Sequence, residues 1–231
     1  MGKKTSARKK TDEVKPWNKR TSSGRYKIAS RDPKITILIV CEGQTEKLYF
    51  ESFPTTTVEV TCIDMGGQSK VKLVEECIKR EKAYRKERTK YDEVWCVFDM
   101  DVKAGAKEFS DFDTSIQMAK KKGFKVAYSN DAFELWYYLH YQYTDQPHHR
   151  KFYYDELTKR WGFNYEKEGK KKANCTVVYK RLNKDTNENQ ASAIARAEKL
   201  YEAQKHLPPS QQNPVTKVYE LVRILEGIKK A

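Results

Sequence analysis

Three acidic residues stand where carboxylates could do chemistry together. Glu42 directly follows an apolar run at 35–41, and Asp99 and Asp101 follow a second apolar run at 94–98. Because residues two apart on an extended segment point to the same side, both aspartates can face one site. Crowded carboxylates repel one another unless a cation neutralises them, and hard oxygen ligands suit Mg²⁺ or Mn²⁺. This pattern indicates metal-assisted chemistry.

A fourth acid extends the group. Glu46 lies four residues after Glu42, one helical turn along the next segment, so it can reach the same place. A divalent cation held there can bind phosphate oxygens, stabilise a leaving oxygen and activate water. Taken separately, an Asp-x-Asp pair after a strand is common and Glu42 could simply cap a helix. The joint placement after two apolar runs favours a functional site.

The elements that must position these acids follow from the apolar pattern. Continuous β-branched runs are typical of strands buried on both faces of a parallel sheet, and helical patterns lie between them across 35–141. This alternation predicts an α/β fold with an open, mainly parallel sheet flanked by helices. Ligands of such sheets bind outside the carboxyl ends of the strands, where these acids fall. The predicted strands are 35–41, 58–63, 94–98 and 124–129.

Composition divides the chain into three parts. The first thirty residues hold ten Lys or Arg against two acids and few apolar residues, which predicts a flexible basic arm at 1–32. Residues 33–141 form the predicted catalytic core, which carries the acids. Residues 142–231 form a helical, basic C-terminal extension that we expect to pack on the core.

Charge and cysteine usage restrict the function classes. The 231 residues include 46 Lys+Arg and 32 Asp+Glu, a formal net charge of +14, which favours a polyanionic partner such as nucleic acid. No run approaches the roughly 18 apolar residues of a membrane span, and no secretory signal follows the basic N-terminus. The five cysteines have no paired spacing, which favours reduced thiols. We therefore expect a cytoplasmic protein with no membrane partner.

Several basic residues are placed to contact phosphate groups. Two lysines closely follow the Asp-x-Asp pair, and other basic residues lie among aromatic residues of the extension, where bases can stack. Lys70 follows Gly66-Gly67 at a helix start, a place that can cradle phosphate, but the P-loop pattern is absent. The predicted nucleic-acid-binding residues are Lys103, Lys107, Lys170, Lys171, Lys172 and Arg181.

Four motifs carry a family resemblance. The segments ILIVCEGQTE at 37–46 and VFDMD at 97–101 resemble the Toprim metal-binding pattern of topoisomerases, primases and OLD-type nucleases. The segments SNDAFELWYYLH at 129–140 and NPVTKV at 213–218 resemble the RloB-like family, a Toprim-fold family related to OLD-type and abortive-infection effector nucleases. Many relatives carry Pro or Cys where this chain has Asp131 and Ala132.

The resemblance implies a fold, residue roles and a context. It implies a Toprim-like fold in which Asp99 and Asp101 hold Mg²⁺ or Mn²⁺ and Glu42 ligates the metal or acts as acid or base. Glu46 and Glu134 would support the same catalytic cleft. It also implies a prokaryotic antiviral or abortive-infection system with a partner ATPase of the RloA, ABC/SMC-like kind.

The leading hypothesis is a Mg²⁺-dependent Toprim nuclease, a hydrolase that cleaves phosphodiesters of RNA, with tRNA as one candidate, or of DNA. The first alternative is a non-catalytic module of the same system that binds metal and nucleic acid. The second is a phosphotransfer enzyme acting on a small phosphorylated ligand. The polymer, the number of metals and the formation of a homo-oligomer stay open at this point.

Overall fold

The computed structural model describes residues 35–54, 58–87, 90–100, 106–185 and 189–228. The predicted basic arm at 1–32 lies outside the described residues. Two predicted site residues, Asp101 and Lys103, also lie outside them, and the side chain of Lys107 is not described.

The described strands form one open sheet with the spatial order β2-β1-β3-β4-β5. The pairs β1–β2, β1–β3 and β3–β4 are parallel, whereas β5 joins β4 as a short antiparallel edge. The α/β class and the mainly parallel sheet are therefore confirmed, and they are consistent with a Toprim-like fold. The strands are β1 (Ile35–Cys41), β2 (Val58–Asp64), β3 (Glu93–Met100), β4 (Lys125–Asn130) and β5 (Val215–Thr216).

Within the described residues the sheet is flanked by ten α-helices and one 3₁₀ helix at Pro209–Gln211. No helix there is long and apolar enough to cross a bilayer. The α-helices are α1 (Gln44–Glu51), α2 (Lys70–Glu87), α3 (Ala106–Lys121), α4 (Glu134–Leu139), α5 (Arg150–Trp161), α6 (Tyr165–Glu168), α7 (Lys172–Cys175), α8 (Val178–Asp185), α9 (Asn189–Gln204) and α10 (Val218–Ile228).

The connections between strands decide which helix covers which face. The chain passes from β1 to β2 in one direction across the sheet and from β2 through β3 to β4 in the other. Because such crossovers are right-handed, α1 lies on one face while α2 and α3 share the opposite face, where they pack together. Both faces of β1 and β3 are thereby buried, which explains their unbroken apolar sequences.

Aromatic side chains join the sheet to the C-terminal helices. Tyr49 on α1 makes edge-on or tilted ring contacts with Phe133, Tyr137 and Tyr179. Its hydroxyl accepts a 2.8 Å hydrogen bond from the indole Nε1 of Trp136. These buried rings belong to one continuous core that runs from the sheet into α8, as the predicted packing of the extension requires.

The C-terminal segment differs from its predicted form. The helical spacing of Val218, Leu221, Val222 and Leu225 in the sequence predicts a last helix that starts at Asn213-Pro214. In the structure these two residues lead into β5, and α10 begins only at Val218. The reason is a polar contact with the sheet, because the Ser129 and Thr216 hydroxyls lie 2.9 Å apart. The extension therefore contributes a strand as well as helices.

Candidate metal centre

A cavity of about 490 Å³ lies at the carboxyl ends of β1 and β3. These neighbouring strands are the point where the chain reverses its direction across the sheet, the usual ligand position in open α/β folds. Five acids of the described residues line it, and the sequence predicted four of them. The acids are Glu42, Glu46, Asp64, Asp99 and Glu134.

Glu42 and Asp99 are held together by the ends of their strands. The backbone N–H of Glu42 donates to the carbonyl of Val97 at 2.9 Å, which continues the β1–β3 pairing by one residue. The Glu42 carboxylate then accepts from the backbone N–H of Asp99 at 3.1 Å. Asp99 in turn accepts from the backbone N–H of Phe133 at 2.9 Å, so it is aligned by the start of α4.

Glu46 lies on the first turn of α1 and is buried. Its Oε2 atom is buried without a hydrogen-bond partner, and so is the Oδ1 atom of Asp99. A Cβ atom added to Gly43 would lie 3.0 Å from Glu46 Oε2, so the absence of a side chain at Gly43 makes room for this carboxylate. Buried carboxylate oxygens without partners are costly unless a proton or a cation compensates them.

Glu134 is positioned by the C-terminal extension. The hydroxyl of Tyr165 donates to Glu134 Oε1 at 3.1 Å. Gly169 lies against the Tyr165 ring so closely that an added Cβ would come within 2.5 Å of it. This contact brings the chain back to the cavity, which the next residue, Lys170, lines.

Basic side chains complete the surroundings. Arg150 and Lys170 line the cavity. Arg150 also contacts Asp131, since its backbone N–H donates to Asp131 Oδ2 at 2.9 Å and its Nη2 donates to the Asp131 carbonyl at 3.2 Å. Lys70, only 5% exposed, lies behind Glu42 with its Nζ 3.8 Å from Glu42 Oε1. Phosphate groups would therefore meet positive charge on the cavity wall.

Burial and mutual repulsion disturb the ionisation of the cluster. Burial and the neighbouring charges of Glu134 and Glu42 together raise the pKa of Glu46 to about 7, against a lowering by its backbone hydrogen bond and by Lys170. Burial also raises the pKa of Asp99 well above its usual range, together with the charges of Glu46, Glu42 and Glu134. The pKa of Glu134 is raised by burial too. A bound cation would reverse these shifts by favouring the carboxylates.

The donor set fits a hard divalent cation in its chemistry. It consists of carboxylate oxygens, and two of them are buried without a partner. Among the described residues, no group of three His, Cys, Asp or Glu side chains is arranged so that it could hold a metal ion. Asp101, the second aspartate of the Asp-x-Asp pair, lies outside those residues. Its role as a ligand beside Glu42 and Asp99 stays a prediction.

Three further basic residues of the prediction, Lys171, Lys172 and Arg181, are described and do not line the cavity. Lys171 and Lys172 are exposed at the start of α7. The Arg181 guanidinium lies 5.3 Å from the Trp161 ring centroid and donates to the Trp161 carbonyl at 3.2 Å, so it also supports the fold. Nucleic-acid binding by these residues stays a prediction.

Sequence reasoning missed several residues of the site. Asp64 is the last residue of β2 and directly follows the predicted strand 58–63, so the strand-end rule could have found it. Arg150 and Tyr165 gave no comparable pattern, because they reach the cavity through tertiary packing of the extension. Lys70 begins α2, and it is buried with its Nζ 3.8 Å from Glu42 Oε1.

The sequence matches a family model described as RloB-like protein over residues 37–225. This span includes all the described acids of the site and most of the C-terminal extension. The chain belongs to the RloB-like family. No curated protein and no solved structure matches this RloB-like protein. The predicted family is confirmed, and the roles of its site residues are taken up next.

Proposed function

We propose that this RloB-like protein is a divalent-cation-dependent nuclease. Glu42, Asp99 and Asp101 would hold Mg²⁺ or Mn²⁺. The observation that carries the proposal is the buried carboxylate cluster at the ends of β1 and β3, with the partnerless oxygens of Glu46 and Asp99. The Toprim relation implied by the motifs belongs to the same proposal.

The cation, Glu46 and Glu134 would have different roles in cleavage. When bound, the cation supplies charge stabilisation for the phosphate and its leaving oxygen and lowers the pKa of water. Glu46 lines the cavity, and the cation would keep it ionised, so it would take a proton from the attacking water. Glu134 would orient this arrangement, since Tyr165 fixes its carboxylate.

A phosphodiester of RNA, with tRNA as one candidate, or of DNA is the proposed substrate. Arg150 and Lys170 line the cavity opposite the acids, and the chain carries a formal net charge of +14. Positive charge at this scale attracts the nucleic-acid backbone through counterion release. Lys103, Lys107, Lys171, Lys172 and Arg181 would extend this contact.

The biological context is proposed from the family resemblance. The protein would act in the cytoplasm as the effector of a prokaryotic antiviral or abortive-infection system. A partner ATPase of the RloA, ABC/SMC-like kind would restrain or activate it. Self-association is compatible with this role.

The test is a cleavage assay on end-labelled tRNA and plasmid DNA with Mg²⁺, Mn²⁺ or EDTA. We expect cleavage that needs the cation and falls on the order of 100-fold or more in Glu42→Gln. Glu75→Gln is the matched control, because Glu75 is exposed on α2 away from the cavity. Full activity of Glu42→Gln would overturn the proposed site.

A second candidate function is a module that binds metal and nucleic acid without cleaving. It is favoured by the formal net charge of +14 and by Arg150 and Lys170 on the cavity wall, which need only bind a polyanion. Repeating the assay with the partner ATPase distinguishes the two functions. Cleavage in its presence supports the nuclease, whereas binding without cleavage supports the module.

A further inference from the structure

A second cavity of about 340 Å³ lies away from the carboxylate cluster. It opens where β4 begins, at Lys125 and Val126. The strand then runs to Asn130, beside the carboxyl end of β3 that carries Asp99. The two cavities therefore lie toward opposite ends of β4 and share none of their lining residues.

Four lysines from four separate segments form the rim of this second cavity. Lys120 lies in the last turn of α3, Lys125 begins β4, Lys205 follows α9, and Lys217 precedes α10. Among the lining residues Glu220 is the one acid. Because like charges converging on one concave surface raise the local positive potential, the cavity attracts anions.

Two of these lysines already form ion pairs, and these pairs are weak enough for a phosphate group to replace. Lys125 Nζ lies 2.7 Å from Glu93 Oε1, and Lys205 Nζ lies 2.5 Å from Glu202 Oε2. Neither acid lines the cavity, and the side chains of Lys125 and Lys205 are about half exposed, at 49% and 53%. Exposed ion pairs of this kind contribute little, so a phosphate group could displace them.

Lys217 is the most firmly placed of the four lysines. Its backbone N–H donates to the carbonyl of Tyr128 at 2.7 Å, which fixes the start of α10 against β4. Its Nζ lies 2.8 Å from Glu220 Oε1 and 4.4 Å from the centroid of the Tyr201 ring. One ammonium group of the rim is therefore oriented before any ligand binds.

Apolar side chains form part of the floor of the cavity, beside the buried Tyr128 and Gln212. Ile116 and Val126 are buried, and Phe124 and Leu207 are half-buried beside Pro209. An apolar floor below a cationic rim complements a ligand that has a flat apolar body and an anionic end. A base with its ribose and phosphates has that form.

We propose that this second cavity binds a nucleoside phosphate, with the base against the apolar floor and the phosphates among the four lysines. Its volume is in the range of small-ligand sites. Two kinds of molecule carry a nucleoside phosphate of this form: a free nucleotide and the phosphorylated end of a nucleic-acid strand. The site is independent of the proposed nuclease activity.

The test is calorimetric titration of the full chain in EDTA with ATP, AMP and adenosine, and in parallel with a 5′-phosphorylated hexanucleotide. We expect ATP to bind more tightly than AMP, and adenosine to bind least, because each phosphate adds charge. The variant Lys120→Glu/Lys125→Glu should weaken binding about tenfold or more. Lys121→Glu/Lys122→Glu is the matched control, since these exposed neighbours make the same charge change outside the cavity.

Leu207→Trp provides a second test that leaves every charge in place. The larger side chain should fill the cavity and abolish ATP binding, with circular dichroism confirming the fold. Tighter binding of ATP identifies the free nucleotide as the ligand, and tighter binding of the hexanucleotide identifies the strand end. Absence of saturable binding to both, or equal weakening in the two double variants, would overturn the site.

Discussion

Glu46 links the ionisation of the metal centre to the stability of the protein. Its carboxyl is buried, and burial with nearby acids raises its pKa from 4.5 to about 7. Between pH 4.5 and pH 7, this carboxyl is mostly ionised in the unfolded chain and mostly protonated in the folded chain. The unfolded chain therefore binds fewer protons. Folding stability without metal must therefore fall as the pH rises from 4.5 to 7.

We expect the wild type in EDTA to lose roughly 3 kcal/mol of unfolding free energy through Glu46 between pH 5 and pH 8. Glu46→Gln removes this carboxyl, so its loss over the same interval should be smaller. Urea unfolding at the two pH values measures both. Exposed Glu75→Gln should behave as wild type. Parallel pH profiles for wild type and Glu46→Gln would contradict the raised pKa.

Gly43 offers a test of how closely Glu46 must be placed. The backbone of Gly43 is extended, so alanine fits its conformation, but the new Cβ would lie 3.0 Å from Glu46 Oε2. We expect Gly43→Ala to shift this carboxylate and reduce Mn²⁺-dependent cleavage about tenfold with the fold intact. Gly227→Ala is the control, since nothing lies near Gly227. Equal activity of both variants would show that the spacing does not matter.

The sequence predicted Glu42 and Asp99 because each directly follows an apolar run that is typical of a buried strand. The structure brings the two residues together, since the backbone N–H of Asp99 donates to the Glu42 carboxylate. Tyr165 could not be predicted in this way. Its hydrogen bond to Glu134 joins residues 31 positions apart, and no periodic pattern links α4 to α6.

At the scale of elements, α6 connects the extension to the site. Gly169 ends this short helix, and its backbone N–H donates to the Tyr165 carbonyl at 2.7 Å. An alanine Cβ at Gly169 would lie 2.5 Å from the Tyr165 ring and 2.6 Å from its carbonyl oxygen. The helix therefore packs as closely as its glycine allows.

We expect Gly169→Ala to lower the unfolding free energy by about 1–3 kcal/mol, because the chain must move away from Tyr165. The displacement should also weaken the Tyr165–Glu134 hydrogen bond and move Lys170. Tyr165→Phe removes only the hydroxyl and should cost about 1 kcal/mol. Urea unfolding measures both variants. A Gly169→Ala protein as stable as wild type would contradict the close packing.

Strand and helix types followed from the sequence more reliably than element ends did. The four longer strands were predicted because parallel strands buried on both faces are continuously apolar. The short strand β5 was missed because it has two residues, and its pairing depends on Ser129 and Asn130 from far along the chain. The formation of β5 therefore depends on its pairing with β4 and not on the local sequence.

At the scale of the whole molecule, the C-terminal segment completes the core. β5 pairs with β4, and Leu221, Val222 and Leu225 of α10 are fully buried. We expect a chain that ends at residue 208 to lose cooperative unfolding, because it exposes these contacts and the edge of β4. Circular dichroism melting of the truncated and full chains measures this. A truncated chain with an unchanged transition would show that residues 209–231 are not needed to complete the core.

The most direct measurement is anomalous diffraction from crystals of the full chain grown with Mn²⁺. The account predicts a Mn²⁺ peak in the cavity beside Asp99 and Glu42, and loss of that peak in Asp99→Asn crystals. Such a result would place a divalent cation on the carboxylates at the ends of β1 and β3. An ordered, Mn²⁺-saturated crystal with no peak in this cavity would contradict the metal centre and the proposed chemistry with it.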